Sequence, residues 1–147
     1  MAAHTGLDES GNREMQPLVR RRGRPRKARP SLTNIVAHRA LGERLSAASA
    51  AAWFGVPGAR LTDETRGEAR IAHARQTAIY FAHVVFRANL TRAGGIFGRD
   101  RTTARHACNC VEDRRDDRRF DEACGALEPA MRLWLSRFGT AGEGEKR

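Results

Sequence analysis

Residues 98–111, Gly-Arg-Asp-Arg-Thr-Thr-Ala-Arg-His-Ala-Cys-Asn-Cys-Val, constrain the fold of this chain more than any other stretch. Wound as a helix at about 100° per residue, they place Ala104, Ala107, Cys108 and Val111 on one stripe, the i, i+3, i+4, i+7 pattern of a core-facing surface. Thr102, Arg105, His106 and Asn109 fall on the opposite stripe, with Arg101 and Thr103 flanking them near the helix start. A helix of this kind buries small apolar residues in its own domain and holds a row of hydrogen-bonding side chains outward. That row suits the edges of DNA bases.

The segments around it follow helical spacing and contain no alternating strand pattern. Ile35, Leu41, Leu45, Ala48, Ala52 and Trp53 recur at helical intervals and predict one or two helices between residues 31 and 54. Gly55, Pro57 and Gly58 end that run, and residues 61–70 read as a charged loop or short helical turn. Ile71, Arg75, Ala78, Ala82, Val85 and Phe86 predict a second long helix, with His73, Gln76 and His83 on its polar face as exposed helix residues. Asn89 is placed to cap a short helix over residues 90–97. Gly94 and Gly95 inside it each cost roughly 1 kcal/mol relative to alanine, so the pair predicts a helix crossing closely there.

Gly98 then reads as a C-cap, and Asp100 or Thr102 as the start of the next helix, three or four residues on. Short helix, tight turn and two-faced helix together predict a helix-turn-helix. Phe120, Cys124, Leu127, Met131 and Trp134 or Leu135 predict a closing helix over residues 120–135. The charged run 112–119 between the two is read as a solvated connection with no assigned function. The expected class is therefore all-α: a helical domain over residues 31–138, a disordered arm over residues 1–30, and a frayed tail over residues 139–147.

Charge narrows the partner. The net charge is +10, with 27 Lys and Arg against 17 Asp and Glu in 147 residues, which points to an acidic polymer. Residues 1–30 carry eight cations and three anions, so half of the excess lies in the arm and half in the remaining chain. Within the arm, residues 20–30 read Arg-Arg-Arg-Gly-Arg-Pro-Arg-Lys-Ala-Arg-Pro. Mutual repulsion together with Gly23, Pro25 and Pro30 excludes a helix and leaves an extended strand. A strand with a thin glycine between arginines fits a narrow A·T-rich minor groove, where negative potential concentrates. The segment resembles the AT-hook, with Arg22, Gly23, Arg24, Pro25 and Arg26 as its minor-groove residues.

Several classes are set aside. No apolar run approaches the ~20 residues of a membrane span, and Asp8, Glu9 and Glu14 interrupt any signal-peptide core, so a cytoplasmic, nucleoid-associated protein is expected. Three cysteines do not form an even framework of disulfides. His106 and Cys110 point about 160° away from Cys108 on one helix, which leaves no zinc site and no expected metal. No nucleophile–base–acid set is visible, and the phosphate-binding Gly-x-x-x-x-Gly-Lys-Ser/Thr motif is absent, so neither an enzyme nor ATP-driven assembly is expected and no cofactor is called for. The absence of a heptad seam makes a monomer the default.

The residues from about 50 to 135 resemble the C-terminal DNA-binding domain of the bacterial replication initiator DnaA, as a short stand-alone protein of the kind found in alphaproteobacteria. Trp53, Phe54 and Val56, then Ala74-Arg75-Gln76, then Leu90, Gly94 and Phe97-Gly98 occur in the family's order. Arg99 to Cys108 follow its most specific signature, Gly-Arg-Asp-His-Thr-Thr-x-x-His-Ala. The resemblance implies base-reading roles in the major groove for Asp100, Thr102 and His106, beside the outward Arg101, Arg105 and Asn109. It implies a phosphate or mixed role for Thr103 and Arg99, and a minor-groove basic loop reduced to Arg66 and Arg70. Arg101 stands where the family has histidine, Arg105 where it has an apolar residue, and Thr91 where proline is common, while the turn is one residue shorter. The expected function is sequence-specific binding of double-stranded DNA, with A·T-rich flanks for the arm, as a transcription regulator or a competitor for initiator-type sites. The other class in view is an architectural, nucleoid-type binder with little sequence preference.

Overall fold

The computed structural model describes residues 31–64 and 67–138; the arm of residues 1–30, the tail of residues 139–147, and Thr65 and Arg66 lie outside the described residues. The described residues form five α-helices and one 3-10 turn: α1 (Leu32–Phe54), the turn (Gly58–Thr62), α2 (Ala69–Val84), α3 (Leu90–Gly95), α4 (Arg101–Arg114) and α5 (Arg118–Phe138). No strand occurs among them, as the helical periodicities imply. None of these helices is long and apolar enough to cross a membrane.

Residues 31–54 form one continuous helix, started by the Ser31 side chain accepting from the Asn34 N–H and closed by left-handed Gly55. Its alanine-rich second half is what lets α2 approach. Ala50 and Ala51 share the buried core with the small residues Ala74, Ala78 and Ala82 of α2, and Gly42 leaves room for the Phe86 ring, which would lie 2.9 Å from any Cβ at that position. Larger side chains then fill the space beside this close contact. Leu61, Ile79, Tyr80, Phe81 and Phe97 are fully or almost fully buried. Removing them from water supplies most of the driving force for folding, at roughly 25 cal/mol per Å² of apolar surface.

α5 closes the opposite side through aromatic contact. The Trp53 ring stacks on Phe120 with centroids 4.9 Å apart and on Phe81 at 6.4 Å. Cys124, Met131 and Leu135 carry the same seam along α5, whereas Trp134 is 41% exposed, so Leu135 is the inward residue of the pair. Burial pushes the Cys124 and Cys108 thiols up to about 11, which keeps both neutral as small apolar residues.

The charged run 112–119 is solvated as expected except at Arg114 and Arg115. α4 continues through Arg114, and this extension carries Arg114 and Arg115 along the inward stripe of Ala104, Ala107, Cys108 and Val111. The Arg114 guanidinium lies 5.4 Å from the Phe120 ring centroid and donates to Gln76 Oε1 at 2.8 Å. Arg115 donates at 2.7 Å each to Asp121, Glu128 and the Tyr80 hydroxyl, joining α4, α5 and α2. Only the outer members of the run keep the expected surface character, as in the Arg118–Glu122 pair on the first turn of α5.

A second arginine is buried more deeply. Arg75 on α2 is 7% exposed and faces no carboxylate at hydrogen-bond distance; its Nε donates to the Leu61 carbonyl at 2.6 Å and its Nη2 to the Asp63 carbonyl at 3.1 Å. Burial lowers its pKa, with the Arg99 charge adding to the effect. The guanidinium thus satisfies main-chain acceptors at the end of the 3-10 turn. In Arg75→Met the Leu61 carbonyl loses its side-chain donor, while the Asp63 carbonyl keeps Arg99, and an unsatisfied buried acceptor costs roughly 1–3 kcal/mol. Urea denaturation is expected to show a loss of about 1–3 kcal/mol for Arg75→Met, and an unchanged midpoint would refute this role for the side chain.

Candidate nucleic-acid interface

The turn into α4 is built almost entirely from backbone. Asn89 starts α3 by accepting from the Arg92 N–H at 2.9 Å, and the helix ends at Gly95 rather than at residue 97. The Gly94 carbonyl then accepts from both Phe97 N–H at 2.9 Å and Arg99 N–H at 3.0 Å, with Gly98 between them at φ 64. Five residues, 96–100, therefore separate the helices. A side chain at Gly94 would place its Cβ 2.7 Å from the Arg99 carbonyl oxygen and 2.9 Å from that of Asp100. Gly95 meets nothing within 4 Å, so only one of the two glycines answers to a close approach.

Asp100 starts α4. Its Oδ1 accepts from the Thr103 N–H at 2.6 Å, and its carboxyl is held below the usual range, first by that backbone N–H and then by the Thr103 hydroxyl. A charged carboxylate at this end also complements the helix dipole. Ala104, Ala107, Cys108 and Val111 are buried against α2 and α3. Arg101, Thr102, Thr103, Arg105, His106 and Asn109 are all exposed. The structure thus brings the six onto one solvent-facing surface, together with the exposed capping residue Asp100.

Charge on this surface is polarised along the helix. From residue 101 to residue 110 the only ionic side chains are Arg101 and Arg105, while Glu112 and Asp113 follow at the far end. A polyanion would therefore be met by the N-terminal two-thirds of α4, the part a helix-turn-helix inserts into a groove. Beside it runs a shallow groove against the start of α2, lined by Ala69, Ala72, Gln76, Arg99, Thr103 and His106. Gln76 faces α4 and not bulk solvent. His83 is half-buried with its Nδ1 donating to the Ala88 carbonyl at 2.7 Å, which fixes the end of α2.

The remaining expected site residues are distributed as follows. Arg99 is half-buried, with Nη2 donating to the Asp63 carbonyl at 2.6 Å and Nη1 to the Glu64 carbonyl at 3.3 Å. Arg70 is exposed in the first turn of α2 and not in a loop. Arg66 and the arm residues Arg22, Gly23, Arg24, Pro25 and Arg26 lie outside the described residues. Cys110, half-buried, has its sulfur 3.4 Å from His106 Nε2. No group of three or more metal-ligating side chains converges among the described residues.

Residues 48–111, from the second half of α1 into α4, match the family described as bacterial dnaA protein helix-turn-helix. Residues 48–111 are a DnaA-type helix-turn-helix domain. The matched segment contains α2, α3, the turn and most of α4, and ends at the last residue of the buried stripe. No curated protein and no solved structure matches the chain. In this DnaA-type domain the spacing between the two helices of the motif depends on position 94. Gly94→Ala is expected to destabilise by about 1–3 kcal/mol through backbone overlap, whereas Gly95→Ala is expected to stabilise by about 0.5–1 kcal/mol. Thermal denaturation of the two variants side by side checks the difference in sign.

Proposed function

We propose that this chain binds double-stranded DNA in a sequence-specific way, with α4 in the major groove and the basic arm in an adjacent A·T-rich minor groove. The observation that carries the reading is the division of α4: four small residues buried on one side, and Arg101, Thr102, Arg105, His106 and Asn109 exposed on the other. Small inward residues let the helix stand close to its domain, so that its outer row projects. The outer row offers what base edges require, since arginine pairs bidentately with guanine and asparagine with adenine. The match to the DnaA helix-turn-helix family supports the same docking mode.

In this reading Asp100, Thr102 and His106 take the family's base-reading positions, Arg101 and Arg105 set a preference of the chain's own, and Thr103 meets phosphate. Arg66 and, from the first turn of α2, Arg70 are what remains of the family's minor-groove basic residues. The arm raises affinity by tethering, because a second weak contact on the same DNA acts at high effective concentration. The biological role that fits is a cytoplasmic, nucleoid-associated transcription regulator or a competitor for replication-initiator sites, acting as a monomer and without ATP.

Selection from a randomised duplex library tests the core of the reading. The intact protein is expected to return a defined site that survives excess nonspecific DNA; binding without any preferred site would make it an architectural protein instead. Arg101→Ala is expected to relax preference at one base pair by about 1–3 kcal/mol, and an unchanged site logo would remove Arg101 from the reading surface. Arg24→Ala is expected to weaken A·T-flanked sites more than G·C-flanked ones and to reduce the salt slope by about one. Equal losses on both kinds of flank would argue for a generic basic tail.

A further inference from the structure

We propose that Arg99 is a positioning residue that sets the pose of the N-terminal end of α4, and not a ligand of phosphate; the inference rests on the base-reading role given to α4. Arg99 is tied down at both ends. Its N–H is spent on the Gly94 carbonyl at 3.0 Å, and its own carbonyl oxygen occupies the space next to Gly94 that a side chain would otherwise need. Its guanidinium reaches in another direction, to the carbonyls of Asp63 and Glu64 in the segment leading to α2.

The Asp63 acceptor is itself fixed. The Asp63 carbonyl also receives Arg75 Nη2 at 3.1 Å, and Arg75 is anchored in the core through Nε to the Leu61 carbonyl. The Asp63 carboxylate is held in turn by Arg60 Nε at 3.1 Å. Hydrogen bonds therefore join α2, through Arg75 and the Asp63 carbonyl, to Arg99, which the chain connects directly to the capping residue Asp100 and then to the outward Arg101 and Thr102. Two terminal nitrogens gripping two successive carbonyls restrict rotation as well as translation of the helix start, a role the single ammonium of lysine cannot reproduce.

The contrast with the neighbouring cations supports a separate role. Arg101 and Arg105 are exposed and make no hydrogen bond or ion pair with the described residues, so their charges are available to a ligand. Arg99 lies one residue before the cap, half-buried, with its donors directed back into the protein. Loss of its grip would leave the inward stripe of α4 packed while loosening the end that carries Arg101 and Thr102.

The test uses the full chain with Arg99→Met and Arg99→Lys, compared with Arg101→Ala and Asn109→Ala as markers for the two ends of α4. Arg99→Met is expected to cut discrimination at least about fivefold at the base pair mapped by Arg101, and to spare the pair mapped by Asn109. Its salt slope is expected to match the parent's, with Arg99→Lys intermediate in discrimination. A slope lower by about one with full discrimination retained would make Arg99 a phosphate ligand and overturn the proposal. Unchanged binding in every respect would also overturn it.

Amide exchange in the free protein provides a readout that does not depend on DNA. Arg99→Met is expected to speed exchange at Thr103 and Ala104, whose N–H groups are held by Asp100, by about tenfold or more through local opening. Parental exchange rates would sink the proposal even if the intact protein returned a defined site. Conversely, accelerated exchange in a protein that shows no preferred site would uphold the clamp while rejecting base reading. Circular dichroism identifies any variant that fails to fold, and Arg99→Lys, which retains one donor and the charge, then carries the comparison.

Discussion

The outer face of α4 stands where it does because position 94 has no side chain. The carbonyls of Arg99 and Asp100 pass within 2.7 and 2.9 Å of where a Cβ would be, and the methyl of Ala104 within 3.0 Å. Close packing leaves no spare distance at this point, since an interior transmits a displaced atom to its neighbours instead of absorbing it. The Gly94 carbonyl accepts two N–H groups of the turn, so the same residue supplies both the space and the hydrogen bonds that define the angle between α3 and α4. Every exposed side chain from Arg101 to Asn109 inherits its direction from that angle.

The parts of this arrangement that were legible in the sequence are those that depend on local spacing. The two faces of α4 follow from 3.6 residues per turn alone, and all four inward residues and all the outward ones lie as the projection places them. Asn89 and Asp100 were legible as N-caps for a similar reason, because each satisfies backbone groups within a few residues of itself, whereas Gly98 is a left-handed turn residue and α3 has Ile96 as its C-cap. Gly95 misled because composition cannot say which of two adjacent glycines faces the neighbouring chain. Arg114 and Arg115 were missed because a run of mixed charge is usually solvated. The available signal was register: residues 104, 107, 108, 111, 114 and 115 continue a single stripe, so the inward surface does not stop where its apolar residues do.

The burial of Arg75 was out of reach of spacing arguments, although its place among Ile71, Ala78 and Ala82 put it on an inward face. Its acceptors are carbonyls 12 to 15 residues away, at the end of the 3-10 turn. A turn this short leaves its last carbonyls without helical partners, and buried polar groups must find partners somewhere. A long side chain with five donors is suited to meet several carbonyls at once. Using arginine here instead of a second layer of apolar residues also brings a positive charge beneath the groove next to α4, alongside Arg99, whose field already acts on Arg75. The connection before α2 is therefore a structural strut whose carbonyls hold two guanidinium groups near the reading surface.

What lies outside residues 48–111 is integrated with the matched domain in two different ways. α5 is part of the core: Phe120 stacks on Trp53, and Arg115 bridges Tyr80 to Asp121 and Glu128. Burial raises the Tyr80 hydroxyl to about 12, so it stays protonated and available to this network throughout the neutral range. The first turns of α1 behave oppositely. Residues 32–40 are exposed apart from half-buried Asn34, whereas Gly42 is buried against Phe86. At 1.5 Å per residue, Leu32 stands about 15 Å beyond that contact. In the proposed two-point mode the basic segment of residues 20–30 thus starts from a helical spacer and not from the surface of the domain. A rigid spacer of this length restricts where the arm can meet DNA, which favours simultaneous contact with a groove at one distance over sliding contact with any. The arm would then add to the specificity of α4 through spacing as well as to its affinity through charge.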